Sequence, residues 1–129
     1  MKPPAITLQR VYEGTGPQGN YRALVDRVWP RGLRRDDLGL DEWARDLAPT
    51  TELRKWFNHV EERWDEFRRK YLAELAAPEQ QARLEALLQA AGKRPLTLLY
   101  GAHDAEHNQA VVLRDALLDY AQRHGKRHA

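Results

Sequence analysis

Two histidines and an aspartate crowd the stretch "YGAHDAEHNQA", residues 100 to 110: His103, Asp104 and His107. An imidazole titrates near neutral pH, so His107 beside Asp104 can move a proton as general acid or base, or act as a neutral hydrogen-bonding group. Metal binding is the competing chemistry, since residues four apart share a face when both are helical. A helix that begins between His103 and His107 removes that face, and no third ligand stands at a useful spacing. No metal is therefore expected.

A second polar stretch, "LVDRVWPRG" at residues 24 to 32, delivers Arg27, Trp29 and Arg31 to the exit of a strand. Pro30 fixes φ and Gly32 frees it, so Arg31 sits on a short, shaped turn. Guanidinium groups match carboxylate and phosphate through paired N–H donors. The expectation is a pocket in which Arg27 and Arg31 hold an anionic group, Tyr100 and Asn108 hydrogen-bond it, and Trp29 and His103 complete the walls. The bland reading of the same arginines is a surface position, or pairing with Asp26, Asp104 or Glu106.

The elements that must position these groups are legible from periodicity. Residues 5–12 and 21–29 read as strands, separated by the Gly- and Pro-rich loop "EGTGPQGN". Leu24, Asp26 and Val28 point to one face and Val25, Arg27 and Trp29 to the other, so one charge on each face must meet a partner or water. The short connection suits antiparallel neighbours better than a parallel crossover, although the pairing stays open. "PLTLLY", residues 95–100, is apolar enough to be a central strand covered on both faces.

Helical spacing takes over between. Asp41 can cap "EWARDLA", which Pro49 ends; Thr50 or Thr51 can cap "ELRKWFNH". Trp64, Phe67, Tyr71 and Leu75 form the apolar stripe of a third helix, while "LRRDD" reads as solvated loop. Pro78 opens a helix with Leu84, Leu87, Leu88 and Ala91 inward and Gly92 as its stop. A last helix, about residues 106 to 123, turns Ala110, Leu113, Leu117 and Tyr120 to the core. Gly101 allows a close backbone approach before it, and its N-terminus favours an anion unless Asp104 and Glu106 cap it first.

Strands alternating with helices predict one layered α/β domain over residues 1–129, with a small sheet, parallel or mixed, flanked by about five helices. Residues 1–4 and 125–129 read as tails. In such sheets ligands gather outside the carboxyl ends of the strands, where both polar stretches fall. Twenty-one Lys and Arg against 19 Asp and Glu leave a net charge of +2, too balanced to imply nucleic acid. With no Cys, disulfides, thiolate catalysis and cysteine-bearing zinc sites are excluded. No signal peptide or run of about 18 apolar residues is present, so a cytoplasmic location is expected. Nothing in the pattern names a cofactor.

"LVDRVWPRG", "DLAPTTELRKWF", "RWDEFRRKYLAEL" and "TLLYGAHDAEHNQAVVL", in this order, resemble the YeaO-like bacterial branch of the domain-of-unknown-function 488 family. The resemblance runs from about Ile6 to Leu118 and implies a small cytoplasmic α/β protein without fixing a reaction. Where similar proteins carry "WFHHDP" this chain has "WFNHVE", which replaces a His by Asn58, keeps His59 and loses the Asp-Pro helix start. His103 stands where many have Lys. Wider members resemble rhodanese-like and phosphatase-like folds, with a Cys at the late strand end and a Cys-His-Arg cluster at the helix start. The matching positions here are Tyr100, Asn108, Gln109 and Ala110, so thiol-based sulfur or phosphoryl transfer does not carry over.

Three readings follow. The first is the small-molecule pocket for an anion, either purely binding or catalytic through His107 and Asp104. The second is an interaction or homodimer surface marked by Trp43, Trp56 and Phe57. The third is a nucleic-acid module using Arg34, Arg35, Arg63, Arg68, Arg69 and Lys70, against which the interleaved acidic residues argue.

Overall fold

A computed structural model describes residues 4–125; the predicted tails lie mostly outside the described residues. The late apolar strand, Leu96–Tyr100 (β4), is buried along its whole length and takes an inner position in the sheet. Its Thr97 hydroxyl is satisfied by the Thr7 hydroxyl at 3.1 Å and by Asn20 Nδ2 at 3.0 Å. Ile6–Arg10 (β1) lies on one side of β4, Tyr21–Leu24 (β2) on the other, and the two-residue strand Glu42–Trp43 (β3) edges β2. Every pairing is parallel. The lean toward an antiparallel first pair is therefore corrected. With β4 between them, β1 and β2 need no hairpin, and strands of four or five residues are short enough for residues 11–20 to cross back with no more than the single 3-10 turn Val11–Glu13.

The helix predicted over residues 42–48 is also corrected, to β3 followed by a single 3-10 turn at Arg45–Leu47. Edge pairing wins here: Asp41 N donates to Arg22 O at 2.9 Å and Ala44 N to Leu24 O at 2.8 Å. An isolated turn of helix has no comparable return. Trp43 is drawn in as well, meeting Trp29 edge-on at 5.3 Å and donating Nε1–H to Asp26 O at 2.6 Å. The "LRRDD" loop instead holds one helical turn, Arg35–Leu38 (α1), which buries Leu38 and ends on left-handed Gly39.

Thr51–Phe57 (α2) is capped by Thr50, whose hydroxyl accepts from Leu53 N and donates to Glu74 Oε2 at 2.7 Å. One side chain thus closes α2 and ties it to Trp64–Leu75 (α3). Phe67, Tyr71 and Leu75 are buried along α3 as their spacing requires. Pro78–Ala91 (α4) starts on its proline and ends at Gly92, which has φ 60°. Gln109–Gly125 (α5) begins three residues later than predicted and packs on β4 and β1, with α3 and α4 against it. Ala110, Leu113 and Leu117 are fully buried beneath it. Among the described residues no helix is long and apolar enough to cross a membrane.

Candidate functional site

Parallel register sets the geometry of the site. Leu24 lies level with Leu99, and Val25 N continues the pairing by donating to Leu99 O at 3.0 Å. Two residues beyond Leu24 and Leu99, Asp26 comes level with Gly101. Gly101 N donates to Asp26 Oδ2 at 3.0 Å, and Gln109 Nε2 donates to Oδ1 from the first turn of α5. A Cβ at residue 101 would stand 2.9 Å from Asp26 Oδ2, so the close approach expected at Gly101 is that of a carboxylate of the chain itself.

Above this contact, at the carboxyl ends of β2 and β4, opens a cavity of about 580 Å³. Asp26, Gly101 and Gln109 line it together with the apolar groups Trp29, Pro30, Pro49, Phe57 and Phe67. Arg54, His59, His103 and Asp104 are exposed and form a polar rim. Burial pushes the Asp26 carboxyl up to about 6, against the Gly101 and Gln109 hydrogen bonds and the positive charge of Arg54, which pull it down.

The structure brings the two polar stretches together, but with a changed cast. Arg27, Trp29, His103 and Asp104 all line the cavity. The Arg27 guanidinium, however, is committed to Pro49 O at 2.7 Å and Ala48 O at 3.1 Å, so it fastens the chain before α2 to the end of β2. Trp29 Nε1 closes its own turn on Leu33 O at 2.8 Å. Arg31 does not line the cavity; its side chain is exposed, and its carbonyl accepts from Tyr12 Oη at 2.8 Å. Tyr100 is buried at the end of β4, which raises its phenol above the ordinary value.

Asn108 caps α5. Its Oδ1 accepts from Ala110 N at 2.8 Å and Val111 N at 3.3 Å, and its Nδ2 donates to Asp104 O at 2.7 Å, which occupies the helix-terminal donors expected for an anion. Asp104 caps the turn before it, accepting from Glu106 N and His107 N through Oδ1. Its Oδ2 accepts from His107 Nδ1 at 2.9 Å. Those hydrogen bonds hold Asp104 below the usual carboxylate range, and the same pair raises His107. The His107 ring meets Trp64 edge-on at 5.2 Å and does not line the cavity. His103 accepts at Nδ1 from Arg10 Nη2, 3.2 Å away, because a guanidinium only donates; its remaining proton is therefore on Nε2. Among the described residues no three His, Asp or Glu side chains cluster as a metal site would require.

Sequence reasoning missed Asp26, Gln109 and Arg54 as site residues. Strand alternation had marked Asp26 as a charge in need of a partner, which was the available signal. The loop after α2 also enters the site, because Asn58 and His59 both adopt positive φ, 45° and 57°, and His59 reaches the rim. Two of the aromatic residues behind the interaction reading make contacts within the chain. Phe57 is buried, stacking on Phe67 at 4.3 Å, and the Trp56 ring lies under Lys70 Nζ at 4.1 Å.

Comparison with known sequences decides the lineage. Residues 5–129 match the family described as the inactive DUF488-N3 subclade. The chain belongs to the DUF488 family. It is similar to the uncharacterized protein YeaO of Escherichia coli (strain K12), 47% identical over 112 residues that cover 87% of this chain and 96% of YeaO. It is also 38% identical over 112 residues to an uncharacterized protein of Mycobacterium tuberculosis (strain ATCC 25618 / H37Rv), covering 87% of this chain and 92% of that one. A protein of Mycobacterium bovis (strain ATCC BAA-935 / AF2122/97) has the same identity and coverage. No solved structure matches. This DUF488 chain has the YeaO-like sequence and a wholly parallel α/β sheet, and it holds no Cys for thiol-based sulfur or phosphoryl transfer.

Proposed function

We propose that the cavity at the strand ends is a binding pocket for a small anionic molecule in the cytoplasm, and that it binds without turnover. The observation that carries this reading is the rim. The Arg54 guanidinium forms no hydrogen bond or ion pair with another described residue and stands with His59 and His103 around an opening walled by apolar groups. A cavity of about 580 Å³, mostly apolar with a few convergent polar groups, has the size and make-up of a small-molecule site. Binding without chemistry agrees with the description of the subclade as inactive and with the absence of any thiol. It agrees too with His107, whose ring is spent on Asp104 and Trp64 outside the lining.

Arg54 takes the role first expected of Arg31. The test is a thermal-shift and NMR titration with 3-phenylpropionate, which offers a carboxylate and an apolar ring. Binding that shifts resonances around β2 and β4 and is lost in Arg54→Gln is the expected result. Failure to bind, or equal binding by Arg54→Gln, refutes it.

A further inference from the structure

We propose that the occupant of this pocket is bipolar: an anion at the Arg54 side, a protonated amine held by Asp26, and an apolar body between Trp29, Phe57 and Phe67. The inference deepens the pocket reading and rests on it.

The argument starts from what Asp26 lacks. Its two oxygens offer about four acceptor positions, of which Gly101 N and Gln109 Nε2 fill two. No Lys, Arg or His among the described residues forms an ion pair with it. Arg27, its neighbour in sequence, is turned away onto the Pro49 and Ala48 carbonyls. A carboxylate is therefore left lining a cavity with acceptor capacity unused and its charge met only at a distance by Arg54.

A purely anionic occupant would enter against this charge and that of Asp104, which lines the same cavity. An occupant that brings its own N–H donors and positive charge turns the repulsion into a charge-assisted hydrogen bond. The walls favour the same end of such a molecule, because a cation is attracted to the faces of Trp and Phe rings. Asp26 and Arg54 line the same cavity, so a molecule carrying both an amine and a carboxylate suits the pair. An α-amino acid with an apolar side chain is the simplest member of this class.

Phenylalanine and 3-phenylpropionate test the proposal, since they share ring and carboxylate and differ in the amine. In calorimetric titrations of the full chain, phenylalanine should bind at least about tenfold more tightly. In Asp26→Asn, which keeps the shape, the two should bind almost equally, and Arg54→Gln should weaken both. If 3-phenylpropionate binds through Arg54 and phenylalanine binds no better, the bipolar assignment is overturned and the anion pocket stands. A preference for phenylalanine that survives in Asp26→Asn also overturns it. If neither compound binds the wild-type chain, both readings fall. The wild-type comparison needs no variant, so it holds even if Asp26→Asn does not fold.

Discussion

Asp26→Asn should stabilise the empty protein above pH 6 and leave it almost unchanged near pH 4. In the fold the Asp26 carboxyl titrates near 6 rather than at its ordinary 3.8, because burial penalises the charged form. The folded chain therefore holds this proton between about pH 4 and 6 while the unfolded chain has released it, and stability falls as pH rises through that window. The gap between 3.8 and about 6, at 1.36 kcal/mol per pH unit, sets a ceiling of about 3 kcal/mol. Asp26 is only partly buried, so solvent screens part of it and ~2 kcal/mol is the working figure.

Asparagine carries no charge at any of these pH values. It can still accept from Gly101 N, and Gln109 can rotate its amide to accept from the new side-chain N–H. Hydrogen bonds hold the Asp104 carboxyl below its ordinary range, and burial raises the Tyr71 hydroxyl. These groups and the histidines are common to both proteins, so they cancel in the difference. The assay is urea unfolding of both proteins at a series of pH values from 4 to 8. A difference that does not vary with pH, or that grows toward acid, would refute the assignment of Asp26 as the carboxylate that burial strains.

Three further outcomes follow from the same geometry. Gly101→Ala pushes a Cβ to 2.9 Å from Asp26 Oδ2 and should cost about 1–3 kcal/mol, more above pH 6 than below, by urea unfolding. Asn108→Ala should cost about 1–2 kcal/mol and speed amide exchange in the first turn of α5, since it removes the acceptor of two helix N–H groups and the donor to Asp104 O. His59→Gly should raise stability by ~1 kcal/mol by relieving φ 57°, while weakening 3-phenylpropionate binding in the titration proposed above.

Long periodic segments and their stops were legible because their signals are local. The α3 stripe, the Pro78 start, the Gly92 stop and the all-apolar β4 each follow from neighbours a few residues apart, and all four stand in the fold. What failed depended on distant partners. Two residues of β3 carry no periodicity, and Trp43 enters the sheet edge because Trp29 and the Asp26 carbonyl receive it. The candidate site divides in the same way. The two strand ends do line one cavity, yet which arginine faces it depends on contacts invisible in either stretch: Arg27 is taken by carbonyls of residues 48 and 49, and Arg54 lines the cavity from α2, which Thr50 ties to Glu74.

That division bears on why a carboxylate remains where it costs stability. Gly101, Gln109 and the turn of the Arg27 side chain all serve to seat Asp26 without neutralising it. A chain selected for stability alone gains by placing an amide or an apolar group there. An unpaired, partly desolvated charge at the bottom of an apolar opening is instead what a binding site needs in order to draw a donor out of water, and strained groups of this kind concentrate at functional sites. Under the proposed bipolar pocket, the cost at Asp26 is offset when an occupant supplies the missing positive partner.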